Sequence, residues 1–122
     1  MTKTSFPRKR ANPRFTFFAE AEFTLRDGTS VLGQLSELSA RGCCIDTLQP
    51  IPIGTELSLS ISDGASTCEL PAKVIYLNSG GGLGLFGVGV LFGEMTVDQH
   101  SAIDMWLREV SRRQYSAKVT NR

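Results

Sequence analysis

Two short stretches of this chain carry side chains equipped for recognition chemistry. The first is Arg8-Lys9-Arg10-Ala11-Asn12-Pro13-Arg14. Pro13 pushes Asn12 out of the helical region, so Arg10 and Arg14 sit on an extended arm and not on one helix face. A guanidinium is a planar fork of donors. Two of them on such an arm can clamp phosphates bidentately, or reach the O6 and N7 acceptors of a guanine. The second stretch is Glu37-Leu38-Ser39-Ala40-Arg41-Gly42. It offers a carboxylate, a hydroxyl and a glycine whose missing side chain permits close approach of a ligand. A carboxylate accepts from guanine N1–H and N2–H2, and arginine covers the opposite edge. Together the two stretches are suited to a guanine nucleotide and its phosphates.

Other chemistry is thinly supplied. His100 is the single histidine, and the carboxylates are scattered along strands and turns without a legible pair. Three cysteines, Cys43, Cys44 and Cys68, do not match zinc-ligand spacing and read as small reduced thiols. Gly82-Leu83-Gly84-Leu85-Phe86-Gly87 fits G-x-G-x-x-G, but that fingerprint works only between a strand and a helix. Here the glycines lead into another strand, so they read as a hairpin loop. No catalytic residue, metal ligand or cofactor is expected, and a binding module outranks an enzyme.

The elements that must position the two stretches are legible as alternation. Phe15, Phe17, Ala19, Ala21, Phe23 and Leu25 occupy odd positions, with mostly polar residues between them, a half-buried strand. Asp27-Gly28 makes a hairpin turn into a second strand over 30–36. A link over 37–42 leads to a third strand over 43–48. Leu57, Leu59 and Ile61 alternate with serines in a fourth strand, turned by Asp63-Gly64. A fifth strand spans 68–77, with Pro71 suggesting an edge or a bulge. A sixth spans 85–92. Thr96 and Gln99 form a capping-box pattern, and Ile103, Trp106, Leu107 and Val110 make one helical face. The expectation is an all-β, six-stranded antiparallel barrel with a C-terminal α-helix closing its end. Residues 1–14 form a flexible basic arm, 15–113 the barrel and helix, and 114–122 a disordered tail.

The chain has 122 residues and a net charge of +1, enough for one domain. Its charge is unevenly distributed: +5 over residues 1–14, −8 over 15–107 and +4 over 108–122. A basic arm therefore precedes an acidic body. An acidic body disfavours a binder of single-stranded nucleic acid, whose grooves are basic and lined with aromatics. No apolar run approaches the ~18 residues of a membrane helix. No apolar stretch follows the basic N-terminus, so a cytoplasmic protein is expected.

The two stretches, in this order around a predicted strand, resemble the PilZ domain family. Its pattern is R-x-x-x-R before the first barrel strand and [D/N]-x-S-x-x-G between the next two. Here Arg10 and Arg14 supply the first, with Lys9 in an adjoining position that is often basic. Glu37, Ser39 and Gly42 supply the second, Glu37 standing one methylene longer than the family's Asp or Asn. Gly89-Val90-Leu91-Phe92 matches a Gly-Val-x-Phe strand near the barrel's end, and the likeness covers residues 8–112. The resemblance implies binding of cyclic di-GMP. Arg10 and Arg14 would contact phosphate and guanine, Lys9 would add charge or set ligand stoichiometry, and Ser39 and Gly42 would lie beneath the ligand. Tyr76 is a candidate to stack on a guanine face, against ordinary packing in the barrel. With no fused output domain, the chain would act on a separate, unidentified protein, as a monomer or homodimer. The alternative is a nucleotide-independent adaptor of the same fold.

Overall fold

The structure is a computed structural model that describes residues 13–79 and 84–120. Six strands and one helix follow in order: β1 (Phe15–Thr24), β2 (Ser30–Leu38), β3 (Gly42–Thr47), β4 (Glu56–Ser62), β5 (Thr67–Asn78), β6 (Phe86–Phe92) and α1 (Val97–Thr120). The strands are antiparallel and close into a barrel in the order β1-β2-β3-β6-β5-β4. Closure leaves no strand edge to protect. Pro71 therefore does not mark an edge. It pairs across from Ser58 of β4, and its carbonyl accepts from the Gly93 amide, just past the end of β6. The absent N–H faces the side where the neighbouring strand is ending, so no ladder bond is lost.

Alternation decides which side chains fill the barrel. Phe17, Ala19, Ala21 and Phe23 point inward from β1, and Leu57, Leu59 and Ile61 from β4. Val88 and Val90 from β6, with Ile45 from β3, complete the wall of this core. The turns are built as their residues require. Thr29 N–H donates to Asp27 Oδ1 at 2.9 Å, and Gly28 takes the left-handed conformation with φ of 90°.

The helix closes the end of the barrel where β1 begins. Thr96 and Gln99 form a reciprocal cap: Thr96 N–H donates to Gln99 Oε1 at 2.8 Å, and Gln99 N–H to Thr96 Oγ1 at 3.2 Å. Gln99 also ties the cap to β5, its Nε2 donating to the Glu69 carbonyl. Ile103, Trp106 and Val110 are buried, and the Trp106 ring packs on Phe17 with centroids 5.5 Å apart. Trp106 Nε1–H donates to Asp63 Oδ2 at 3.0 Å, so the β4–β5 turn receives the indole. The helical backbone continues to Thr120, past the end expected near residue 113. No glycine or proline interrupts residues 97–120, so nothing in the sequence stops it. Among the described residues no helix is long and apolar enough to cross a membrane.

Candidate functional site

Strand register places the second stretch and a part of the first at one corner of the barrel. Phe15 pairs with Leu38 and Thr16 with Glu37, so Arg14 enters β1 beside the end of β2. Arg14 Nη1 donates to Glu37 Oε1 at 3.1 Å, both side chains being partly exposed. Lys9 and Arg10 lie outside the described residues.

The link expected over 37–42 is shorter than the sequence suggests. Glu37 and Leu38 belong to β2, Gly42 opens β3, and only residues 39–41 connect them. Ser39 holds this turn. Its backbone N–H and its Oγ both donate to the Gly42 carbonyl, at 2.9 and 3.2 Å, and the Arg41 amide donates to Ser39 Oγ at 3.4 Å. Arg41 is exposed, and its carbonyl accepts from Phe92 N–H at 2.8 Å. Gly42 differs from the expectation. A Cβ there would strike the Val90 carbonyl of β6, so the missing side chain admits a neighbouring strand. Gly42 thus brings β3 and β6 together under the corner, and Ser39 shapes it.

Glu37 reaches the outer surface only because of a bulge. Val31, Gly33 and Leu35 face the barrel interior, and unbroken alternation would carry residue 37 inward with them. Instead Leu35 pairs with Ile45 while Glu37 pairs with Cys44, leaving Ser36 as an extra residue. Its Oγ donates to the Cys44 carbonyl at 3.4 Å. One extra residue inverts the parity, so Glu37 faces out and Leu38 is buried. β5 repeats the device. Cys68, Leu70, Ala72 and Val74 face inward, then Ile75 intervenes between pairs Val74–Val90 and Tyr76–Gly89. Tyr76 is turned outward and is 51% exposed.

The two bulges put Glu37 and Tyr76 on one cross-strand row: Thr16, Glu37, Cys44, Gly89, Tyr76. Three strand spacings separate Glu37 from Tyr76, about 14 Å between Cα atoms at ~4.8 Å per spacing. Glycine floors the row at its far end. A Cβ on Gly89 would lie 3.0 Å from Tyr76 Cβ and 3.5 Å from its Cδ2, so the Tyr76 side chain leans over β6. The row is thus an open face with a cation–carboxylate pair at one end and an exposed aromatic at the other. Sequence reasoning misses Ser36 and Asn78 and takes Gly89 only as part of a Gly-Val-x-Phe match, because their roles depend on pairing across strands. Glycines at positions 87 and 89, inside one apolar strand, are the local signals of close approach.

A separate groove of about 650 Å³ lies on the outer wall, lined by Thr24, Ser58, Pro71, Lys73 and Leu91 among others. It contains none of Arg14, Glu37, Ser39 or Gly42, and a flat face for a charged ligand needs no deep cavity. Burial pushes the Cys43 thiol well up and the Cys68 thiol up, which disfavours thiolate chemistry at either. Among the described residues no three His, Cys, Asp or Glu side chains gather as a metal site.

Comparison with known proteins agrees with this architecture. The PilZ domain model matches residues 8–109. The PilZ domain of YcgR from Escherichia coli, solved with c-di-GMP, superposes with a TM-score of 0.75 at 12% identity, covering 90% of this chain and 97% of that one. YcgR from Escherichia coli in complex with c-di-GMP gives a TM-score of 0.78 at 13% identity, over 93% of this chain and 51% of that one. The Bacillus subtilis inhibitor of motility, MotI/DgrA, gives 0.71 at 16% identity, over 88% and 52%. This chain thus spans about half the length of the two longer neighbours. At these identities the likeness is one of fold. No curated protein matches the sequence. The family match extends from the basic stretch into the helix, and on that match the chain belongs to the PilZ domain family.

Proposed function

We propose that this chain is a non-enzymatic receptor for cyclic di-GMP that signals by changing its contacts with another protein. The observation that carries the reading is the outer-face row, on which one bulge presents Glu37 beside the Ser39–Gly42 corner and the other presents Tyr76 at the far end. One structural neighbour, YcgR, was solved with this dinucleotide both as its PilZ domain and as a longer chain. Its two phosphates and two guanines suit a face with cations at one end and an aromatic ring at the other.

The mechanism begins from the paired state. Arg14 rests on one oxygen of Glu37. On binding, Arg14 turns toward a ligand phosphate or the O6/N7 edge of guanine, and Glu37 accepts from guanine N1–H and N2–H2. Lys9 and Arg10 add charge-assisted bonds from the arm. Ser39 and Gly42 set the corner beneath the ligand, and Tyr76 stacks on the second base. The −8 body does not attract a dianion, so the arm supplies the local positive field. Fixing the arm alters the surface at the start of β1, where Phe17 meets Trp106 of the helix, and a partner protein reads that change.

Isothermal titration calorimetry tests this with the intact chain. Each charge-assisted bond contributes about 1.5–3 kcal/mol. Arg10→Ala or Arg14→Ala is expected to weaken binding roughly 10- to 100-fold, at ~1.4 kcal/mol per tenfold. Unchanged affinity in both variants would remove the arm from the site. One observation favours a second reading, a nucleotide-independent adaptor: Arg14 is already paired with Glu37. Absence of any binding heat with the intact chain would select that reading.

A further inference from the structure

Tyr76 is held by a construction that an ordinary surface tyrosine does not need. The Ile75 bulge turns it outward. Gly89 leaves room for its Cβ and ring edge, and Gly87 leaves room for Asn78, whose Oδ1 lies 2.9 Å from where a Gly87 Cβ would be. Asn78 Nδ2 donates to the Tyr76 hydroxyl oxygen at 2.9 Å. Two glycines within one strand weaken that strand, and here they are spent on laying two exposed polar side chains along it.

The chemistry of this bond has a direction. With the amide nitrogen turned to the phenol and Oδ1 over Gly87, the –NH2 brings donors and no acceptor, so the phenol oxygen accepts. The phenol's own proton cannot go back to that nitrogen. It is left to donate elsewhere, from an exposed hydroxyl on the row that leads to Glu37. The acceptors of a cyclic dinucleotide are phosphodiester oxygens and the O6 and N7 atoms of guanine.

We propose that Asn78 is a positioning residue that sets the hydrogen-bond polarity of Tyr76, so that the phenol is both a stacking surface and a donor to the bound dinucleotide. This rests on the receptor reading above and assigns a second subsite to it, selective for a purine carrying an acceptor.

Asn78→Asp is the informative substitution because it keeps size and shape but reverses the bond. A carboxylate accepts the phenol proton and withdraws it from the ligand. Titration of the full chain with cyclic di-GMP is expected to show Tyr76→Phe weakened about tenfold, the loss of one hydrogen bond. Asn78→Asp should be weakened at least as much. The added negative charge would also repel a dianion, so the same change is measured on the Tyr76→Phe background. With no hydroxyl to redirect, Asn78→Asp should there cost less than about threefold, in a double-mutant cycle. Thermal midpoints of all variants should stay near the parent's, since both side chains are exposed. The proposal is overturned if Asn78→Asp binds like the parent, or costs the same factor with and without the hydroxyl. If the parent itself takes no cyclic di-GMP, the receptor reading and this subsite fall together. If the parent binds and all variants bind alike, only the subsite falls.

Discussion

Removing the Asp63 carboxylate is expected to loosen the helix from the barrel. Asp63 Oδ1 accepts from the Ala65 and Ser66 amides at 2.9 and 2.8 Å, and Oδ2 accepts from Trp106 Nε1–H at 3.0 Å. Trp106 is 1% exposed with the Asp63 side chain over its N–H, so removing the carboxylate takes the partner from a nearly buried donor. An orphaned buried donor costs about 1–3 kcal/mol, and two exposed turn amides that regain water cost about 1 kcal/mol together. Asp63→Ala should therefore lose about 2–4 kcal/mol, a large share of the 5–15 kcal/mol typical of a domain. Asp63→Asn keeps an oxygen for the turn amides and loses chiefly the indole bond, so it should fall between the two. Urea denaturation followed by fluorescence reads this cleanly, because Trp106 is the single tryptophan. The same carboxyl gives a pH signature. The Ser66 and Ala65 backbone bonds hold Asp63 below the usual carboxylate range. The unfolded chain then takes up the proton first as pH falls. This contribution is full above the ordinary aspartate value of about 3.9 and is lost as pH drops through the lower folded value. Asp27 is lowered in the same direction by its bond from Thr29, so the comparison with Asp63→Asn isolates the Asp63 part. A change within ~0.5 kcal/mol for Asp63→Ala, with unaltered tryptophan emission, would refute the reasoning.

At the corner, Arg14→Ala and Glu37→Gln should each change stability by less than ~1 kcal/mol, because the pair is 40% and 44% exposed. A larger loss by chemical denaturation would make the pair structural. Glu37→Asp should hold or improve affinity for cyclic di-GMP by calorimetry, and a large loss would show the longer side chain to be adapted to this surface. Gly42→Ala should cost upward of ~2 kcal/mol in urea, since its methyl meets the Val90 backbone and neither strand can yield cheaply. Gly28→Ala, with open space around it but φ of 90°, should cost only about 1 kcal/mol. Equal losses at the two glycines would contradict the packing assigned to Gly42.

The strands were legible because alternation and turn residues agree. Phe15 through Thr24 alternates without interruption in burial, and Asp27-Gly28 and Asp63-Gly64 both fall between paired strands. The capping box at Thr96 and Gln99 was equally local. What escaped was anything set by pairing across strands. Glu37 reads in the sequence as part of a link, whereas the extra residue Ser36 in the ladder keeps it in β2 and turns it outward. Tyr76 was undecidable for the same reason: alternation from Val74 puts it inside, and the Ile75 bulge puts it out. Gly42 looked like room for a ligand, yet the space is taken by Val90. Asp63 was visible as a turn residue but not as the partner of an indole 43 positions away.

The central claim is that cyclic di-GMP lies on the outer row between the Arg14–Glu37 pair and Tyr76. A backbone amide chemical-shift map of the isotopically labelled chain, recorded as cyclic di-GMP is added, tests it most directly. The account predicts the largest shifts at Glu37, Ser39, Arg41, Gly42, Cys44, Gly89 and Tyr76. Shifts confined to the groove around Thr24, Ser58 and Lys73, or no shifts at saturating ligand, would contradict it.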